Sequence, residues 1–193
     1  MSEQGAKKNR TTWQKIARRI RVPLGFVFAA VFLWLARPTW QSMIGSLLLV
    51  LPGLWLRGYA AGYVRKNAEL TTTGPYAYTR NPLYLGSMAI AFGFAAASGR
   101  IVIFIVLAAL FLAIYLPTIL SEEEFLRGHF PGFDAYAAKV PRLLPRLTAA
   151  DTSQTAGSFS KPLYLHHREY NAVMGAVAIY AALAARLWFL AAH

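Results

Sequence analysis

The first residues that could do chemistry form a short segment ahead of an apolar stretch. The segment reads Thr73-Gly74-Pro75-Tyr76-Ala77-Tyr78-Thr79-Arg80-Asn81-Pro82-Leu83-Tyr84. Folding alone explains part of it, because Gly-Pro favours a turn, Asn81 can cap a helix and Pro82 fits the first helical position. An arginine and three tyrosines remain beside a helix N-terminus, where free N–H groups attract anions. The segment therefore predicts a site for a carboxylate or phosphate next to Arg80.

The second candidate group is acidic. Ser121 is followed by Glu122, Glu123 and Glu124, which are three of only eight acidic residues in the chain. One interpretation is a capping box, with Ser121 as the N-cap of a new helix and Glu124 three positions later. The other is a ligand site, because three carboxylates are costly at a membrane boundary and attract a cation. We favour the ligand site.

Arg57 is a third candidate, because it lies about 12 Å of helix inside the cytoplasmic end of an apolar stretch. An ionisable residue at that depth is a functional candidate, and snorkelling of its side chain to the interface is the rival interpretation. The adjacent His166 and His167 point to different sides of a helix, which disfavours a metal site. The chain has no cysteine, which excludes thiolate chemistry. It also lacks the common nucleotide-binding glycine loops and the helical zinc motif.

Apolar helices must position these candidates. Of the 193 residues, 56% are hydrophobic and 15% are charged, a composition typical of bilayer proteins. The pattern predicts an all-α, polytopic integral membrane protein with about five transmembrane helices, at residues 22–36, 40–63, 83–98, 101–120 and 172–192. We expect a kink near Pro52 and Gly53. We also expect a hairpin turn at Gly99, and close helix packing at Gly86 and Gly93.

Charge sets the orientation of these helices. The net charge is +12, but most basic residues flank apolar runs, so we expect contact with membrane lipids and no nucleic-acid partner. With a cytoplasmic N-terminus, 16 of the 20 Lys and Arg residues face the cytoplasm. Residues 1–21 are predicted to form a basic interfacial amphipathic helix, and residues 22–193 one membrane-embedded domain. Residues 151–160 are predicted to form a flexible connector.

Together these residues resemble the membrane methyltransferases typified by isoprenylcysteine carboxyl methyltransferase, with the phospholipid N-methyltransferases as more distant relatives. The resemblance covers about residues 70–145. It rests on Thr-x-x-Gly-Pro-Tyr-x-Tyr-x-Arg-Asn-Pro-x-Tyr-x-Gly, an apolar hairpin, Glu-Glu-x-x-Leu and Val-Pro-Arg-Leu-Leu-Pro. It implies an S-adenosylmethionine-dependent methyltransferase of a bacterial inner membrane, with the cofactor core at about residues 57–146. The acceptor would be lipophilic, either a carboxylate or the amine of a lipid.

The resemblance also implies roles for individual residues. Glu122 would hold the polar end of the cofactor, Glu123 would act as general base for an amine acceptor, and Arg57 joins them as a catalytic candidate. Two positions depart from the family pattern. Asn81 stands where eukaryotic members usually have His, and Thr118 stands where the family has a substrate-contacting Arg, so prenylcysteine is not the expected acceptor. The implied cofactor-binding residues are Leu70, Thr71, Tyr76, Arg80, Asn81, Pro82, Leu83, Tyr84 and Glu122.

Two other functions fit the same sequence. A sterol-type membrane reductase would bind NADPH, although the glutamates around Glu122 disfavour a ligand with an extra phosphate. A non-enzymatic lipid-binding protein would use the basic interfacial helix and need no cofactor. The sequence leaves the methyl acceptor and the oligomeric state open.

Overall fold

The computed structural model describes residues 29–65, 68–150 and 157–192, and every regular element within them is a helix. The predicted all-α class is confirmed. The helices are residues 29–35 (α1), Trp40–Ala61 (α2), Pro82–Ala97 (α3), Ile101–Leu110 (α4), Leu116–His129 (α5), Phe133–Lys139 (α6), Lys161–His166 (α7) and Tyr170–Ala191 (α8). The predicted interfacial helix, most of the first predicted span and most of the predicted connector lie outside the described residues.

Three helical segments are long and apolar enough to cross a membrane: Trp40–Ala61, Ile101–His129 and Tyr170–Ala191. Pro82–Ala97 is apolar but shorter. Large apolar side chains project from these helices, and Leu48 is 81% exposed. Such a surface is costly in water and natural among acyl chains. The fold is therefore that of a membrane protein.

The helix that begins at Ile101 continues to His129 without a break. The predicted end of this helix near Leu120 is therefore wrong, and the alternative in which Ser121 caps a new helix is excluded. Pro117 has no N–H to donate and crowds the preceding turn. A wider π-helical turn at Phe111–Tyr115 lies just before it and absorbs the mismatch. The three glutamates consequently project from the middle of a helix.

Glycines bring α2 and α3 into close contact. A Cβ atom added to Gly53 would lie 2.8 Å from the carbonyl oxygen of Gly86, and one added to Gly86 would lie 2.8 Å from that of Gly53. A Cβ added to Gly93 would lie 2.5 Å from Cγ2 of Val50. The predicted close packing at Gly86 and Gly93 is confirmed, with α2 as the partner. The hairpin turn between α3 and α4 is also as predicted, with Gly99 at φ +66°.

Replacing Gly53 with alanine is expected to destabilise the α2–α3 pair by about 1–3 kcal/mol, because a methyl group has no room there. Thermal unfolding in detergent measures the effect. Gly45→Ala on the same helix is the matched control, since its Cβ would meet nothing within 4 Å. Equal unfolding midpoints for the two variants would contradict this packing.

A second layer of polar loops packs beneath the membrane helices. Residues 140–150 run along the segment that precedes α3: the backbone N–H of Arg80 donates to the carbonyl of Pro141 at 2.9 Å. The N–H of Ala150 donates to the carbonyl of Ala77, also at 2.9 Å. Phe133 and neighbouring apolar residues form a small buried cluster under this contact. These bonds fix the start of α3 relative to α5 and α6.

Candidate active site

A cavity of about 580 Å³ lies where α2, α3 and α5 meet α6 and the start of α8. This volume is usual for a small-molecule site. The structure brings together every residue that was predicted as catalytic or cofactor-binding. The cavity is lined by Arg57, Leu70, Thr71, Tyr76, Arg80, Asn81, Pro82, Leu83, Tyr84, Glu122 and Glu123. Their individual roles remain predictions.

Glu123 forms a buried ion cluster and is only 4% exposed. Its Oε1 accepts from Arg80 Nε at 3.1 Å and Asn81 Nδ2 at 3.2 Å, and its Oε2 accepts from Arg80 Nη2 at 3.2 Å and Arg142 Nε at 3.0 Å. Arg80 Nη1 also donates to the carbonyl of Ala137 at 2.9 Å. These four bonds occupy the carboxylate of Glu123, and Arg80 is neutralised by it. The geometry therefore disfavours a general-base role for Glu123.

The start of α3 keeps the predicted proline but not the predicted cap. Pro82 occupies the first helical position, whereas the side chain of Asn81 makes no capping hydrogen bond. Asn81 Nδ2 donates instead to Glu123 and to the carbonyl of Arg142 at 3.1 Å. The first-turn N–H groups of α3 therefore have no cap from the Asn81 side chain, and Leu83 and Tyr84 of this turn line the cavity. Polar or anionic ligand groups suit such a helix end.

Glu122 differs from Glu123 because adjacent residues of a helix point in different directions. Its side chain is exposed and lines the cavity. Its Oε1 accepts from the hydroxyl of Tyr84 at 2.9 Å. The ring of Tyr84 meets the ring of Tyr115 edge-on, with centroids 5.8 Å apart. Glu122 thus has carboxylate capacity left for a cationic ligand group, beside two aromatic rings.

Leu70 and Thr71 form another part of the cavity wall, in a segment without helix or strand. Thr71 Oγ1 is buried and has no hydrogen-bond partner among the described residues. The backbone N–H groups of Leu70 and Thr71 donate to no backbone carbonyl among the residues that the structure describes. A buried polar group without a partner is costly. This wall is therefore prepared to hydrogen-bond a polar ligand.

Two buried tyrosines close the floor of the cavity. The hydroxyl of Tyr136 donates to the carbonyl of Tyr76 at 2.7 Å. Burial raises the pKa of both phenols above the ordinary range, because a phenolate is poorly solvated there. Both rings therefore stay neutral at physiological pH.

Arg57 lies at the membrane end of the cavity and does not snorkel away from it. Its Nε donates to Glu169 Oε2 at 3.0 Å and its Nη2 to Glu169 Oε1 at 2.8 Å, while Nη1 donates to Ser87 Oγ. Thr118 does not line the cavity, and its hydroxyl donates to the carbonyl of Ile114. The guanidinium at the membrane end of the cavity is therefore that of Arg57 on α2, and position 118 supplies none.

Sequence reasoning missed Glu169, and it gave no role to Arg142, which stands in the Val-Pro-Arg-Leu-Leu-Pro motif. The available signal for Glu169 was its position directly before the last apolar helix, as one of only eight acidic residues. Among the described residues, no three His, Asp or Glu side chains are placed to share a metal ion.

Comparison with known proteins gives a family model and two relatives. Residues 40–132 match the model described as phospholipid methyltransferase, which confirms the resemblance to membrane methyltransferases. The nickel-cobalt-cadmium resistance protein NccN of Alcaligenes xylosoxydans xylosoxydans is 36% identical over 126 residues, covering 63% of this chain and 58% of the relative. The cobalt-zinc-cadmium resistance protein CzcN of Cupriavidus metallidurans is 35% identical over 137 residues, covering 66% and 62%.

The chain therefore spans about three fifths of the length of these curated relatives. No solved structure matches it.

Proposed function

We propose that this chain, whose residues 40–132 match the family model described as phospholipid methyltransferase, transfers a methyl group from S-adenosylmethionine to a lipophilic acceptor at the membrane surface. The observation that carries the proposal is the pairing of Glu122 with the uncapped start of α3 across one cavity. One side suits a cation and the other an anion. A ligand that carries both charges at one end fits this arrangement.

The residues present fit the cofactor. Glu122 would hold its ammonium group, and the first-turn N–H groups of α3 would hold its carboxylate. Thr71 Oγ1 and the backbone at Leu70 would bind the nucleoside, since these groups lack partners within the described chain. The cofactor supplies a methyl group on a cationic sulfur. The aromatic rings of Tyr84 and Tyr115 would stabilise a cation at that position.

The acceptor would lie at the membrane end of the cavity, beside Arg57 and Ser87. These two residues belong to α2 and α3, whose outer faces are apolar, so a lipid tail can stay in the bilayer while its head group enters. Methyl transfer depends mainly on holding donor and acceptor in line and close together. Because Glu123 is fully engaged, the site favours an acceptor that is already deprotonated, such as a carboxylate.

The relatives suggest a cellular context. Both are named as metal resistance proteins, and we infer that methylation by this chain contributes to tolerance of divalent metals through a membrane component. A strain lacking the protein should grow poorly at raised cobalt or cadmium, and wild type should restore growth while Glu122→Gln should not. Restoration by both would contradict a methyltransferase role in tolerance.

Direct transfer is the decisive test of the proposed activity. Purified protein in detergent is mixed with labelled S-adenosylmethionine and a total lipid extract in mixed micelles. We expect label in the lipophilic fraction, and mass spectrometry then identifies the product. Protein that binds the cofactor but labels no lipid would overturn the lipid acceptor.

Thermal shift separates the three functions that the sequence left open. S-adenosylhomocysteine at about 100 times its Kd should stabilise the folded protein by about 2.7 kcal/mol, which raises the unfolding midpoint by roughly 5–10 °C for a chain of this size. NADPH should give no shift. A shift with NADPH alone would support the reductase, and no shift with either would support the lipid-binding protein.

A further inference from the structure

The segment before α8 is docked on a pair of glycines at the end of α2. Gly58 and Gly62 are four residues apart, a spacing that opens a groove on a helix. The ring of Phe159 fills it so closely that a Cβ on Gly62 would lie 2.2 Å from that ring, and a Cβ on Gly58 would lie 3.3 Å from Tyr164. Ser160 N–H also donates to the carbonyl of Gly62 at 2.9 Å. Residues 157–166 are thus held against α2.

A strained turn then directs the chain back toward the cavity. Arg168 has φ +53°. Among the described residues, no other residue except glycine has a positive φ. This conformation is unfavourable for a residue with a side chain and persists only where the surrounding structure enforces it. The turn joins α7 to α8 and places Glu169 at the cavity wall.

Glu169 is a costly residue at this depth unless it is paired. Its side chain is 11% exposed and that of Arg57 is 27% exposed. Both carboxylate oxygens accept from the Nε and Nη2 edge of Arg57, which fixes the plane of the guanidinium. Arg57 therefore has its orientation set by Glu169, which directly precedes α8 and lies outside the segment that matches the family model.

We propose that Glu169 is a positioning residue that aims the guanidinium of Arg57 at the acceptor, so that residues 157–192 complete the active site. This inference rests on the proposed function. The contact of Phe159 with Gly62 holds the segment that places Glu169 at the cavity wall. Glu169 then orients Arg57, and Arg57 contacts the head group of the acceptor.

Neutralising Glu169 is the first test. With a total lipid extract as acceptor, Glu169→Gln should lower the methyl-transfer rate at limiting lipid by about 10- to 100-fold, the loss expected for a charge-assisted contact. Binding of S-adenosylhomocysteine should be unchanged. Asp134→Asn is the matched control, because it breaks an ion pair of 2.8 Å with Arg127 that is far more exposed than the pair of Arg57 and Glu169. A Glu169→Gln rate equal to that of wild type would overturn the inference.

An exchange of charges distinguishes positioning from a purely structural pair. Arg57→Glu and Glu169→Arg should each lower the unfolding midpoint, and the double variant should recover most of it. The double variant should not recover methyl transfer, because the cation would then lie on α8. Recovery of both stability and transfer would overturn the inference. Inactive wild type would instead mean that the proposed function itself is wrong.

Displacing Phe159 tests the delivery of Glu169 without touching either charge. Gly62→Ala should reproduce the loss of transfer seen with Glu169→Gln while cofactor binding persists. Gly175→Ala on α8 is the control, since its Cβ would meet nothing within 4 Å. A Gly62→Ala protein with wild-type transfer would show that the docking is not needed.

Discussion

Glu122→Gln is expected to weaken the binding of S-adenosylhomocysteine by about 10- to 100-fold, because a hydrogen bond to a charged group contributes about 1.5–3 kcal/mol. The carboxylate lines the cavity and makes its described hydrogen bond to Tyr84 alone, so an oxygen is available for an ammonium group. Glutamine keeps the size of the side chain and the bond to Tyr84 but removes the charge. Titration calorimetry in detergent measures the change.

Glu124→Gln is the matched control for this substitution. Glu124 lies two positions further along the same helix, is exposed, and does not line the cavity. Its replacement removes the same charge from the same membrane face. If long-range charge alone were responsible, the two variants would lose affinity equally. Equal affinities for Glu122→Gln and wild type would remove Glu122 from the cofactor site.

The helix positions could largely be predicted from the sequence. Apolar runs fixed α2, α3 and α8 to within a few residues, and Pro82 marked the start of α3. The continuity through Pro117 could not be predicted in this way. It depends on the π-helical turn at Phe111–Tyr115. This turn forms because the packing of the whole span outweighs the hydrogen bond lost at Pro117. Local helix propensity does not report on that packing.

The candidate site could be predicted in membership but not in pairing. Both motifs and Arg57 line the cavity, because rare charged residues in an apolar chain are placed where a polar ligand needs them. The pairing of charged side chains depends on the tertiary structure. Nothing in the sequence indicates that Arg80 binds Glu123 and not a ligand, or that Arg57 binds Glu169, which is 112 residues away in the chain.

Glu123→Gln is expected to destabilise the protein by about 3 kcal/mol or more, the usual cost of leaving a buried charge without its partner. Glu123 is 5% exposed as a side chain and Arg80 is 12% exposed, so water cannot replace the lost carboxylate. For a chain of this length the unfolding midpoint should fall by on the order of 10 °C. Thermal unfolding in detergent, with and without S-adenosylhomocysteine, gives the measurement.

The same experiment separates burial from ion pairing as the source of this stability. Asp134→Asn removes a pair of 2.8 Å whose side chains are 54% and 72% exposed, and exposed pairs contribute little to stability. Arg142→Gln should fall between the two, because Arg142 is 41% exposed and leaves Glu123 bound to Arg80. The order Glu123, Arg142, Asp134 follows burial, whereas the distances of the three ion pairs are nearly equal. A different order would mean that the cluster serves the ligand and not the fold, which would restore Glu123 as a catalytic candidate.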